Sequence, residues 1–309
     1  MKAMDSDAVI KQCLVERCMA LEKELEGDVV FIRAPMTSGI DTVVRREIES
    51  LNSRKTGKRE LVVVLETTGG SIEVVERISD IFRHHYASVV FVIPNFAYSA
   101  GTVLALSGDE IYMDYYSVLG PIDPQIRNRN GRWVPGLGYL EKYNALIAKS
   151  ASGQMTTAEM EFLVRKFDPA ELFALEQAKK HSVELIQKWL CQYKFKDWKF
   201  RQNSGEKVSP ELKEKRAKEI ANLLGDPTEW YSHGRGIPMR ALISDRVKLK
   251  IKDFADTPTL NASIRQYYDL VVDYCHKTSA DMAVHTKNGL WLSGGVNQCL
   301  RVIEILIKK

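Results

Sequence analysis

No Cys-x-x-Cys pair occurs among the five cysteines, Cys13, Cys18, Cys191, Cys275 and Cys299. Odd in number and scattered, they support neither a zinc knuckle nor a disulfide framework, and reduced thiols in a cytoplasmic protein are expected. No charge of one sign dominates: Lys and Arg total 44 against 40 for Asp and Glu, a formal net charge of +4 over 309 residues. A nucleic-acid partner would call for a concentrated basic face, which so small an excess does not demand. The opening stretch, MKAMDSDAVIKQCLVERCMALEKELEG, carries charges throughout and lacks the apolar centre of a signal peptide. Internal repeats and low-complexity segments are also missing.

One shortage is local. From His84 to Gly108 there is no Asp, Glu, Lys or Arg, a run long enough to imitate a membrane span. Pro94, Asn95, Ser99 and Gly101 interrupt it, and Val89–Ile93 is largely β-branched. A strand, a tight turn and a buried helix fit better than one lipid-facing helix, so no membrane span is expected. Peripheral membrane contact stays open.

What is present reads as an ordinary globular chain, with 45% hydrophobic and 27% charged residues. Spacing predicts a leading helix over residues 7–26 and a strand at 29–33. A helix at 40–53 and the continuous apolar strand LVVVLE (61–66) follow. A helix at 71–85, a strand at 89–93, a helix at 98–106 and short strands at 110–113 and 117–119 come next. Strands and helices alternating through short glycine-bearing links predict an α/β fold with a mainly parallel sheet. Residues 139–150 and 157–193 read as helices, 194–208 as a basic loop, and 209–224 as a helix with Ser209 as N-cap and Pro210 at N1. A further helix is expected at 261–277. The tail 289–309 is expected to end in an amphipathic helix. The expected organisation is a leading helix (1–27), a core (28–155), a helical extension (156–255) and a helical tail (256–309).

Two strand-to-helix corners carry the chemistry. In the first, Thr68–Gly69–Gly70–Ser71, adjacent glycines permit positive φ and leave backbone N–H groups bare. The second, Asn95 to Gly101, sets Ser99 at a helix start among small residues. Adjacent parallel strands would bring both corners to the same carboxyl edge of the sheet, where α/β sites lie. A hydroxyl nucleophile beside N–H donors is what acyl transfer needs, and one such donor is worth about 3–4 kcal/mol of barrier.

The segment resembles the serine peptidase branch of the Clp/crotonase superfamily, most of all signal peptide peptidase A and the serine dehydrogenase proteinases. TTGGS is similar to the family's S-P-G-G turn, with Thr68 in place of the proline, and AYSAG is similar to its A-x-S-x-G turn. The resemblance implies a serine peptidase with Ser99 as nucleophile and Gly69, Gly70 and Ala100 as oxyanion donors. It covers residues 28–170 well, weakens towards 255 and is not claimed for the last fifty residues. The histidine that follows the serine in the Clp subunit has no counterpart in SVLGPIDPQ (117–125). Signal peptide peptidase-like members use a lysine in a K-S-G segment followed by M-T-x-E. Lys149–Ser150–Ala151 and then Met155–Thr156–Thr157–Ala158–Glu159 resemble that segment and make Lys149 the candidate base, with Lys142 in reserve.

A base lysine must be largely neutral, and moving its pKa from about 10.4 to 7–8 costs about 4 kcal/mol. Burial among Ala145, Leu146, Ile147 and Ala148 is the expected source of that shift. Asp123 is a candidate substrate contact or turn cap. His233, in the Ser-His-Gly-Arg element, is a candidate substrate contact or alternative base. His84 and His85 read as helix-end groups, not metal ligands. No metal and no cofactor are expected. The partners expected are a peptide or protein substrate and further copies of the chain, in the cytoplasm. Two other readings keep the fold: a degenerate scaffold, and an acyl-CoA hydratase or hydrolase.

Overall fold

The computed structural model describes residues 5–52, 60–127, 133–201, 205–230 and 235–294. In chain order, α1 (Ser6–Glu24), β1 (Gly27–Arg33), α2 (Ile40–Asn52), β2 (Glu60–Glu66), α3 (Ile72–His85) and β3 (Ser88–Val92) come first. They lead to β4 (Phe96–Ala97), α4 (Ala100–Ala105), β5 (Glu110–Met113) and β6 (Val118–Leu119). The middle of the chain holds β7 (Gln125–Arg127), β8 (Trp133–Pro135), α5 (Gly136–Ala151), α6 (Thr157–Lys166), α7 (Pro169–Trp189), α8 (Pro210–Leu224) and α9 (Pro227–Trp230). The last elements are β9 (Ile237–Pro238), α10 (Met239–Ile243), β10 (Lys252–Asp253), α11 (Pro258–Lys277), β11 (Met282–Thr286) and β12 (Gly289–Ser293).

These elements form two compact units. One comprises residues 1–119 with 238–309, and the other 120–237. The division does not follow boundaries at 27, 155 and 255, because the first unit draws on both ends of the chain.

The first unit is built on a seven-stranded sheet of order β10-β5-β3-β2-β1-β11-β12. The five strands from β10 to β1 run parallel, and β11 and β12 are antiparallel additions. The apolar run of β2 follows from burial on both faces. Val62 and Val64 lie with Val29, Phe31, Val90 and Val92 against Leu14, Cys18 and Leu21 of α1 and Ile264, Tyr267 and Val271 of α11. Residues of the opposite parity, Val30, Ile32, Val63 and Phe91, are equally buried. So are Val44 and Ile48 of α2 and Val75, Ile78 and Phe82 of α3, whose Phe82 ring packs on Phe91.

The structure corrects the expected helical tail. Residues 282–286 and 289–293 are the paired strands β11 and β12. The apolar positions of MAVHT fit a strand pairing with β1, which would otherwise be an open edge. The rest of the tail, from 295, lies outside the described residues.

In the second unit, α5, α6, α7 and α8 are the main elements. The helix expected at 157–193 is broken at Phe167–Asp168, because Asp168 caps α7 and Pro169 occupies its first turn. No helix among the described residues is long and apolar enough to cross a membrane.

Candidate active site

Both glycine corners belong to the first unit and touch one another. Beyond β2, Thr67 donates its N–H to Phe96 O (3.2 Å), and Tyr98 N–H donates to Thr67 O (2.9 Å). This parallel bridge between Thr67 and Ala97 ties the corner after β2 to the corner after β3.

The sequence of each corner follows from that closeness. Gly69 has φ 94°, and a Cβ there would lie 2.7 Å from Tyr98 O and 2.9 Å from Ser99 Cβ. Gly70 has φ 145°, and its Cβ would fall 2.4 Å from Met36 O. Met36 straps this corner, donating to Gly69 O and accepting from Ser71 N–H, both at 2.8 Å. Gly101 lets α4 approach Thr67, whose Cγ2 would be 2.2 Å from an added Cβ.

Ser99 stands at the apex of its corner with φ 52° and ψ −118°, a conformation that L-residues seldom adopt. It is half-buried, and its hydroxyl caps no helix N–H. The ordinary N-cap function of a serine at a helix start is therefore absent here. Helix α4 is short, spanning 100–105 where the sequence suggested 98–106.

The backbone donors divide unevenly. The Gly69 N–H donates to Thr67 Oγ1 at 3.1 Å, so its hydrogen already has an acceptor. Its neighbour differs, since the Met36 strap uses the flanking groups of Gly69 and Ser71 and leaves the Gly70 amide out. Ala100 is the first helical residue, where the N–H has no intrahelical acceptor. Among the described residues, neither the Gly70 nor the Ala100 amide has an acceptor. Ser99, Gly69, Gly70 and Ala100 are thus assembled by two interlocked corners.

The remaining candidates belong to the second unit. Lys149 lies in the last turn of α5 with half of its side chain exposed, and its Nζ is 2.6 Å from Glu159 Oε1. Glu159 also completes the capping box of α6 with Thr156, and the Lys149 and Thr156 hydrogen bonds hold its carboxyl down at about 2. The expected burial of Lys149 is not found. Only Leu146 of the four flanking residues is buried, and Ile147 is 41% exposed. The physical reason is the helix period: Leu146 faces inward and Lys149 projects outward to the start of α6. Lys142 is exposed as well.

Asp123 is 3% exposed, and its Oδ1 accepts the Leu137 N–H (3.1 Å) in the first turn of α5. It caps the start of a helix, the second of the two roles expected of it. His233 lies outside the described residues. His84 and His85 end α3. No group of three His, Cys, Asp or Glu among the described residues could hold a metal ion.

Sequence reasoning missed Glu66, Asn95 and Tyr268, whose side chains meet directly behind the two corners. The available signal was Glu66 itself, one acid closing an otherwise apolar strand.

Residues 44–187 match the family described as ClpP-like SDH-type serine proteinase. Two curated proteins of Methanocaldococcus jannaschii are similar over shorter stretches. The uncharacterized protein MJ1495 is 38% identical over 81 residues, 26% of this chain and 26% of its own length. The uncharacterized protein MJ0137 is 38% identical over 64 residues, 21% of this chain and 22% of its own. The matched stretches thus span about a quarter of the length of these relatives.

Among solved structures, a mutant of the 1510-N membrane-bound stomatin-specific protease in complex with a substrate peptide aligns at 15% identity and TM-score 0.42. That alignment covers 72% of this chain and 73% of that one. A second mutant of that protease aligns at 20% identity and TM-score 0.32, over 50% and 82% of the two chains. Both scores are below the level from which a shared fold follows. The family match rests on firmer ground, since it takes in both corners and the helix of Lys149. Residues 44–187, a little under half of the chain, are thus similar to the ClpP-like SDH-type serine proteinases.

Proposed function

We propose that the chain is a serine peptidase in which Ser99 Oγ attacks a peptide carbonyl. The Gly70 and Ala100 amides receive the oxyanion of the tetrahedral intermediate. The intermediate collapses by breaking the C–N bond, the amine leaves with the proton that Lys149 took from Ser99, and water then hydrolyses the acyl-enzyme to a carboxylic acid and frees Ser99. The observation that carries this reading is the strained Ser99 apex against Gly69, beside two amides that have no acceptor among the described residues.

Lys149 is the proton acceptor in this proposal. An ammonium held 2.6 Å from a carboxylate has no lone pair to offer, so Glu159 must release it before it can act. A fluorophosphonate probe tests the nucleophile: labelling at Ser99, abolished in Ser99→Ala, is expected. Labelling that survives Ser99→Ala overturns the assignment. Lys149→Ala is expected to lower the rate by orders of magnitude. A rate that survives Lys149→Ala and falls in His233→Ala transfers the base to His233.

The substrate is a peptide or protein segment, and the working form is a homo-oligomer. Exposed apolar side chains on α6 and α7, Val164 at 74% and Phe173 at 63%, support association. A cytoplasmic location is supported by the four described cysteines, none of which forms a disulfide. The engaged Lys149 favours one second reading, a binding protein on the same fold whose proton acceptor is permanently occupied. That reading expects no probe labelling even in Glu159→Gln.

A further inference from the structure

Glu66 is 5% exposed and ends β2 immediately before the Thr67–Gly70 corner. A buried carboxylate is strongly unfavourable unless it is paired and hydrogen-bonded. Here the contacts come from β1, from the segment that leads to Ser99 and from α11. Oε1 accepts from Arg33 Nε at 2.8 Å, across the β1–β2 register. Oε2 accepts from Asn95 Nδ2 at 3.1 Å and from the Tyr268 hydroxyl of α11. Asn95 Nδ2 also lies 3.0 Å from the Tyr268 oxygen, closing a triangle.

The placement of this triangle is specific. Asn95 begins the segment that runs through β4 to Ser99, and its carbonyl accepts the Val118 N–H of β6 at 2.8 Å. One turn earlier on α11, Arg265 donates to Pro94 O at 2.6 Å and pairs with Asp114. Helix α11 therefore grips both Pro94 and Asn95 from behind. Glu66 joins this grip to the backbone that continues directly into Gly69 and Gly70. Burial and the adjacent carboxylate push the Tyr268 phenol well up, so it remains a donor at any working pH.

We propose that Glu66 is a positioning residue for Ser99, acting through Asn95 and Tyr268, so that α11 sets the spacing between the two corners. The proposal rests on the serine peptidase reading, and it assigns a role to a helix outside the segment that matches the family. Arg33 neutralises the carboxylate, so the site gains rigidity without a net negative charge beside the developing oxyanion.

The test is saturation kinetics of fluorophosphonate labelling on the full chain, with thermal melting measured in parallel. Tyr268→Phe is expected to lower the maximal labelling rate at least tenfold, with the half-saturating probe concentration unchanged within twofold. Asn95→Asp, which sets two carboxylates face to face, lowers it further. Glu66→Gln with Asn95→Asp exchanges amide and acid and recovers most of the rate. The control is Tyr267→Phe, which removes another buried hydroxyl of the same helix, one that bonds His285 of β11 at 2.7 Å. Tyr268→Phe labelling at the wild-type rate, or Tyr267→Phe slowing labelling as much as Tyr268→Phe, overturns the positioning role alone. A wild-type chain that takes no label overturns the peptidase reading and this proposal together.

Discussion

Replacing Gly69 by alanine separates backbone strain from misplacement of Ser99. The new methyl group would sit 2.9 Å from Ser99 Cβ and 2.7 Å from Tyr98 O, whereas ordinary contact begins near 3.4 Å. Something must move by about half an ångström, and both obstacles belong to the Ser99 corner. The left-handed φ of 94° adds strain of about 1–2 kcal/mol for any residue with a Cβ. Overpacking adds about 1–3 kcal/mol, so a total loss of about 2–5 kcal/mol is expected. A domain of ordinary stability, about 5–15 kcal/mol, stays folded under that loss.

Gly39→Ala supplies the comparison. Gly39 has φ 100° and nothing within 4 Å of an added Cβ, so only the strain of about 1–2 kcal/mol applies. Urea unfolding measures both variants, and probe labelling reads Ser99. Since a 1 Å misplacement costs about a hundredfold in rate, a shift near half that size predicts a loss on the order of tenfold for Gly69→Ala. Gly39→Ala should label normally. Equal destabilisation of the two variants with equal labelling would refute the claim that Gly69 is glycine because Ser99 lies against it.

Three further outcomes are expected. If Lys149 is the base, Glu159→Gln should raise labelling at neutral to mildly alkaline pH, and Lys149→Ala in the same background should erase the gain; a probe-rate profile across pH checks both. Acid should not release the pair in the wild type until pH falls towards 2, because the Glu159 carboxyl is depressed from 4.5 to about 2. Its contribution to stability is complete above 4.5 and disappears on descent through 2. His285, fully enclosed and held down to about 4 by desolvation, is neutral in the folded chain. Stability should therefore be full above pH 6.5 and fall by up to about 3 kcal/mol on acidification to pH 4, a decline that His285→Asn flattens in urea titrations. Iodoacetamide on the native chain should spare Cys18, whose thiol is pushed up to about 12 mainly by burial, and mass spectrometry should find Cys13 modified before it.

Much of the architecture was legible because burial leaves periodic marks. LVVVLE announces a strand covered on both faces, and the cap Ser209 stands where its helix begins. The two corners were legible because positive φ and close approach admit few residues besides glycine. The hairpin of β11 and β12 escaped detection because its five-residue strands are shorter than one reliable pattern and adjoin a strongly apolar tail. The break at Asp168–Pro169 did carry a signal, an N-cap followed by proline. The state of Lys149 carried none, since pairing with Glu159 depends on how α5 and α6 fold back on one another. The same holds for Tyr268 and Glu66, which are 202 residues apart and meet only in three dimensions.

The sheet draws its antiparallel cover, β11, from the far end of the chain, while β1 lies near the start. During synthesis β1 is made long before the strand that will flank it. For that interval the nascent chain holds an uncovered apolar edge, open to pairing with other chains. Since α11 directly precedes β11, the helix behind the Ser99 corner and the strand that borders β1 are both made after the parallel strands β1, β2, β3 and β5.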